Sequence, residues 1–300
     1  MISQGQNQLL PEATRANRRP RTLRYDISSL DRNFVTEQSN RFRWRLPNPI
    51  REVSELSIVA GSVPRPALNI WGQTNQTDDF AYNKFTVLLA GVRYTVTIRP
   101  DYYDLAATFA AAIQTAMNTA IGPGLFTVTA SSTDILTIIH TSGTPFSFLL
   151  GTGGYIDQVD PRTRAIIQAN SPALLMGFLP GVDYISSSTG VLVAPNAVDL
   201  YLLVNRIYVY INYDSTQDLV GYDRGTGRRQ PTGIIYLDNV GSRDRVYLNK
   251  DTYTPIIKFR PAAIARISTF DLRFEDIFGR PINFLGRELS LVVECVSLEP

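Results

Sequence analysis

The sequence predicts an all-β fold of the sandwich type. Three observations predict it: short apolar alternations of period two recur along the chain, turn residues punctuate them, and a helical period occurs once. Pro (18), Gly (20), Tyr (15) and Phe (14) are plentiful, while charged residues make up only 19% of the 300 residues. That mix favours strands and turns over helices. With 44% apolar side chains the chain can bury a sizeable core, so disorder throughout is excluded.

Residues 1–24 stand apart. Arg15, Arg18, Arg19, Arg21 and Arg24 face a single acidic residue, Glu12, so this segment carries +4 of a net charge of +2. Without an apolar period it cannot bury itself, and it reads as a flexible, extended basic arm that orders against a partner. From Arg41 the alternation is strict. Phe42, Trp44 and Leu46 face one way and Arg41, Arg43 and Arg45 the other, the pattern of a half-buried strand that Pro47 and Pro49 should stop. A second strand over Glu55–Ala60 should end at Gly61 and Pro64.

Residues 67–83 form a polar loop that includes Trp71. Residues 84–99 read as a hairpin about Ala90-Gly91. One helix follows, with Leu105, Phe109, Ile113 and Met117 on its apolar stripe, Asp101 or Asp104 as its cap and Gly122 as its stop. Strands are expected at Phe126–Ala130, Ile135–His140 and Pro145–Leu150. Residues 151–199 are mostly irregular. Strand signal returns at Leu200–Tyr213, then at Ile234–Leu237, Arg245–Leu248, Pro255–Arg260, Ile267–Glu275 and Leu289–Val296. The simplest arrangement is a jelly-roll-type β-sandwich over 25–300 whose early strands pair with late ones. The hairpin–helix–strand stretch at 84–150 would be an inserted lobe.

The residue counts bear directly on chemistry. His140 and Cys295 are the only histidine and cysteine, too few for an ordinary zinc site or an intrachain disulfide. Cys295 falls on an apolar strand face and His140 at a strand end, each better placed for structure than for catalysis. Gly151-Thr152-Gly153-Gly154 lacks the Gly-Lys-Ser/Thr ending of a phosphate loop. Asp78-Asp79 and Glu275-Asp276 are adjacent carboxylates, which on a strand point to opposite faces, so a glycosidase pair is disfavoured. No enzymatic activity, cofactor, metal or small-molecule substrate is expected. No signal core or long uncharged apolar stretch is present, so neither signal-peptide secretion nor membrane spanning is expected.

Binding is the chemistry that remains. Lys84, Lys250 and Lys258 are the only lysines among 29 basic residues, and a surface rich in Arg and Tyr leans towards protein interfaces. The contact candidates are the arm, Trp71 in the 67–83 loop, and Arg224, Arg228 and Arg229 in the glycine-rich loop at 221–233. A second reading is a carbohydrate- or receptor-binding sandwich, with Trp71, Tyr102, Tyr103, Tyr208 and Tyr210 available to stack on sugars.

Several segments resemble a known family. Tyr25-Asp26 through Asp31-Arg32-Asn33, the strand Phe42-Arg-Trp-Arg-Leu-Pro47 and the run from Val53 to Val63-Pro64 are similar to the start of minor capsid and penton-like structural proteins of nucleocytoplasmic large DNA viruses, the giant viruses. Tyr94 before the helix resembles that family's G-x-Y-T unit, although Ala90-Gly91-Val-Arg precedes it here. The ending is similar too: Phe270–Asp276, Gly279-Arg-Pro281-Ile-Asn283-Phe284 and Leu289–Glu294. The resemblance implies a jelly-roll component of an icosahedral capsid shell. It would be a minor protein binding major capsid protein capsomers and other minor proteins, or a penton at the vertices. It further implies a virion protein assembled in the host cytoplasm or nucleus. Self-association, and contact of the basic arm with inner membrane lipid or genome, complete the expected partners.

Overall fold

The computed structural model describes residues 19–65, 69–70, 82–159, 166–168, 170–200, 206–213, 231–237, 245–248, 257–258, 264–276, 279–282, 284 and 286–299. In chain order the first elements are β1 (Arg19–Ser28), a 3-10 turn (Ser29–Asp31), β2 (Arg41–Pro64), β3 (Lys84–Leu89), β4 (Val92–Thr97) and α1 (Ala106–Ala120). Next come β5 (Phe126–Ala130), β6 (Ile135–His140), β7 (Phe146–Phe148), β8 (Gln158–Val159), β9 (Ile166–Gln168), β10 (Tyr184–Ile185) and β11 (Val191–Ala197). The last are β12 (Arg206–Tyr213), β13 (Gly233–Tyr236), β14 (Arg245–Leu248), β15 (Ile257–Lys258), β16 (Ile264–Glu275) and β17 (Ser290–Glu299). The chain divides into two compact units: Met1–Arg65 with Arg206–Glu275 and Phe284–Pro300, and Pro66–Asn205 with Asp276–Asn283.

In the first unit early strands pair with late ones. β1 runs antiparallel to β17 along its whole length, from Arg19 opposite Glu299 to Ser28 opposite Ser290. The first half of β2 pairs with β16 and the second half with β17, and the order continues from β16 to β12 and β13. The inner faces alternate as the sequence requires. Phe42, Ile207, Val209, Ile211, Phe270, Leu272 and Phe274 are buried on one layer, and Ile27, Leu56, Ile58, Leu291, Val293 and Cys295 on the other. The layers meet face to face: a Cβ placed on Gly233 of β13 would lie 3.0 Å from Ile58 Cδ1 of β2. Tyr25 of β1 likewise sits edge-on to Trp44 of β2 at 6.0 Å. This is a jelly-roll-type β-sandwich.

Three expectations change here. Pro47 and Pro49 do not stop the strand, because β2 continues to Pro64. Arg45 pairs with Thr269 and Ile50 with Ile267, so the prolines fall in a bulge where the ladder needs no N–H. Gly61 also lies within β2, where a Cβ would meet the Ser290 carbonyl oxygen at 2.6 Å. Residues 19–24, which composition places in the arm, form the first part of β1, because β17 supplies the partners they lack locally.

The second unit takes in both the 84–150 lobe and the 151–199 stretch. Ala90 and Gly91 adopt φ of 50° and 79°, joining β3 and β4 by the turn type that fits strand twist. β10, β7, β3 and β4 form one sheet, and β11, β6 and β5 another. Their core is aromatic: Phe148 lies 5.0 Å from Phe85 and 5.5 Å from Phe178, centroid to centroid. α1 adds Phe109, Ala110, Ile113, Ala116 and Met117, all buried. Its cap differs from expectation. Leu105 is the N-cap, 60% exposed and without a side-chain cap bond, while Asp101 accepts the Tyr102 N–H instead. Ala173, Leu175, Met176 and Phe178, from the irregular stretch, are fully buried in this core. Among the described residues no helix is long and apolar enough to cross a membrane.

Candidate interaction surfaces

The outward face of the β2–β16–β12 layer is built by strand alternation. Burying Phe42 turns Arg41, Arg43 and Arg45 outwards, and all three are exposed. The register sets Arg43 opposite Asp271 and Arg41 opposite Arg273. It then sets Tyr210 opposite Arg273 and Tyr208 opposite Glu275. Arg273 pairs with Asp271 at 3.4 Å, and the Arg206 guanidinium lies 5.9 Å from the Tyr236 ring centre. Five arginines and three tyrosines thus share a face with two carboxylates. The juxtaposition of Arg41 and Arg273 is unfavourable in isolation and is offset in part by Asp271, which pairs with Arg273. Arginine forks and tyrosine rings are the side chains enriched where proteins meet.

A second surface lies where β1 ends. Leu30, Phe34 and Val35 are 58%, 62% and 92% exposed, and the loop that carries them is pinned. Glu288 accepts hydrogen bonds from Ser29 Oγ and Arg32 Nη1, and Ser29 Oγ accepts the Leu289 N–H at 2.9 Å. Asn33 Oδ1 accepts the Val35 N–H at 3.0 Å and Glu37 accepts the Asn33 N–H at 3.0 Å. Trp44 Nε1 donates to Asp31 at 3.2 Å, and the Arg32 guanidinium stacks 4.2 Å over Phe34. Burial alone would raise the Glu288 carboxyl, but the bonds from Arg32 and Ser29 outweigh it and hold it below the ordinary value. Apolar tips on so many hydrogen bonds form a preorganised knob.

Of the contact candidates, Arg19, Arg21 and Arg24 lie on β1, with Arg24 Nε 2.8 Å from Glu294 on exposed surface. Arg15, Arg18, Trp71, Arg224, Arg228 and Arg229 lie outside the described residues, as do Asp78 and Asp79. His140 is buried edge-on to Phe126 at 4.9 Å, with Nδ1 3.0 Å from Ser142 Oγ. Cys295 is buried, and desolvation pushes its thiol up to about 12. The N–H groups of Gly151 and Thr152 both point at Asp183 Oδ1, 2.6 and 3.0 Å away. A carboxylate of the chain itself therefore occupies the nest that resembles a phosphate loop. Burial raises the Asp183 carboxyl, yet the bonds from Thr152 and Gly151 give a net lowering. Tyr103 is buried and donates to the Arg99 carbonyl, which removes it from any sugar-stacking surface. Among the described residues no group of three His, Cys, Asp or Glu could hold a metal ion. Sequence reading missed the knob; its only signal is an apolar pair, Phe34-Val35, between polar neighbours.

The described residues define a jelly-roll-type β-sandwich with an arginine- and tyrosine-rich outward face. No family model matches the chain, and no curated protein matches it. Among solved structures it is similar to the mavirus penton protein, with a TM-score of 0.40 and 9% identity over 93% of this chain and 100% of that one. It is also similar to a chain of the Sputnik virophage structure, with a TM-score of 0.38 and 14% identity over 92% and 98%.

Proposed function

We propose that this chain is a structural component of an icosahedral viral capsid. In this reading it is a minor protein that binds major capsid protein capsomers and other minor proteins, and so stabilises the shell. The observation that carries the reading is spatial. Segments far apart in sequence that resemble the large-DNA-virus family fall on β1, β2, β16 and β17, and these strands pair with one another. Of these, the first half of β2 and β16 carry Arg41, Arg43, Arg45 and Arg273 on their outer side, while β1 and β17 belong to the layer packed against them. An assembly protein needs a rigid frame and a face that neighbours can recognise, and these strands supply both.

Reversing charge at Arg41, Arg43 and Arg45 together (R41E, R43E, R45E) tests the reading. All three are exposed, so the melting temperature should stay near the native value. Incorporation into particles should fall at least tenfold, a change of about 1.4 kcal/mol or more. Undiminished incorporation would remove this face from the contact. A low-resolution particle map decides between the two shell positions: density beneath the capsomers supports the minor-protein role, and density at five-fold vertices assigns the penton role instead.

A further inference from the structure

The first strand of the chain leaves one edge of its sheet open. β1 stands at the end of the order β1–β17–β2–β16–β12–β13, and among the described residues its only ladder partner is β17. Which backbone groups face the open side follows from the register. The Ser29 N–H donates to the Leu289 carbonyl at 3.0 Å, and the β1–β17 pairing runs from there without a shift. Bonded pairs alternate along an antiparallel ladder, so Ile27, Tyr25 and Leu23 turn their N–H and C=O groups to β17. Thr22, Arg24 and Asp26 turn theirs away from it, and all three residues are exposed. Pro20 shares their parity, the position at which an edge strand accommodates a missing N–H. A ten-residue strand with such an edge is a template for a further strand.

We propose that β1 pairs antiparallel with β1 of a second copy of this chain, centred on Tyr25, so that two sheets join into one across a two-fold axis. This goes beyond the capsid reading, because it concerns the isolated chain. The sequence of the strand selects both the partner and the register. Pairing about Tyr25 sets Arg24 opposite Asp26 of the second copy and Asp26 opposite its Arg24, two opposite-charge pairs on the outer face. Asp26 has no hydrogen bond or ion pair with another described side chain. Arg24 uses Nε on Glu294 while its side chain stays 65% exposed, and its fork retains donors for a second carboxylate. On the other face Leu23 meets Ile27 and Tyr25 meets Tyr25, extending the apolar side of the layer. Sliding the pairing by one step places Arg24 against Arg24 or Asp26 against Asp26. Slipping by a single residue brings the outward backbone groups out of line. In the favoured register Pro20 lies beyond the paired segment, so its missing N–H costs the contact nothing. The same patch serves both copies, so the contact is isologous and closes at two chains.

Sedimentation velocity of the full-length chain at matched concentrations tests this. The unaltered chain should form a dimer and nothing larger. Asp26→Arg places an arginine against Arg24 of the second copy, and should weaken dimerisation at least tenfold. Arg24→Asp places an aspartate against Asp26 and should do the same. An equimolar mixture of D26R and R24D brings a basic strand to an acidic one, so the heterodimer should form at least tenfold more tightly than either variant binds itself. Thr22→Pro removes an outward N–H without altering charge, at a place where the monomer makes no use of it, and should also weaken the dimer. Melting curves matching that of the unaltered chain establish that the variants fold. If R24D melts early through loss of the Glu294 pair, D26R and T22P still decide. A monomeric unaltered chain, oligomers beyond the dimer, D26R or T22P dimerising as well as the parent, or a mixture of folded variants no tighter than its components would each overturn the proposal.

Discussion

Glu288 joins the last strand to the loop that follows the first, and its chemistry makes that junction sensitive to acid. Its carboxyl is held below the ordinary value of 4.5 because the hydrogen bonds from Arg32 and Ser29 exceed the cost of burial. A lowered folded value means that the stability it supplies is fully present above the unfolded value. The contribution is lost as pH falls through the folded one. Asp157 works in the opposite sense. Burial raises it despite bonds from Ser171 and Asn170, so it costs stability as pH rises past its ordinary range. Glu288→Gln separates the two. Urea midpoints should show the variant less stable at neutral pH, with the gap to the parent closing between pH 5 and the acid limit. A gap that stays constant with pH would mean that the side chain acts through shape, not charge.

Among the elements, the β3–β4 hairpin has one poorly matched residue. Ala90 adopts φ of 50° in an exposed turn, a region that costs a non-glycine residue roughly 1 kcal/mol and that asparagine tolerates better. Ala90→Asn should therefore stabilise the fold by about 0.5–1 kcal/mol, read as a higher denaturant midpoint with an unchanged slope. A lower midpoint would show that the turn is not limited by this strain. The same hairpin was legible in the sequence, since alternation on both sides of Ala90-Gly91 fixes strand and turn locally. The passage of β2 through Pro47 and Pro49 was not legible. It depends on how β16 leaves a bulge opposite them, a relation across more than 200 residues. β1 was hidden for the same reason: Arg19–Arg24 look unburiable until β17 arrives. The arginines and tyrosines could be counted as binding residues, but their gathering on one face needs the register of three strands. Phe34-Val35 has no period to reveal it and shows as a knob only once Glu288, from the far end of the chain, pins the loop.

At the scale of the molecule, two hydrophobic cores stand where the sequence suggested one sandwich with an inserted lobe. The core of the second unit draws its buried members from residues 70–200, with Phe178 and Phe148 at its centre. The sandwich core is built from Phe42, Phe270, Leu272 and Phe274 with the inner residues of β12 and β17. A chain that leaves the first unit at Arg65 and returns at Arg206 ties the two covalently, but each buries its own aromatic side chains. Cooperativity within a core is strong because close-packed side chains cannot loosen singly. Phe270→Ala and Phe178→Ala remove comparable rings from the two cores, each at a cost of about 3–5 kcal/mol. Differential scanning calorimetry should then show each substitution lowering one component of the heat-absorption profile by roughly 10 °C and leaving the other near its native place. Both substitutions moving one sharp transition equally would mean that the two cores melt as a single cooperative structure. In that case loss of the second unit's packing would loosen the sandwich and its Arg/Tyr face with it.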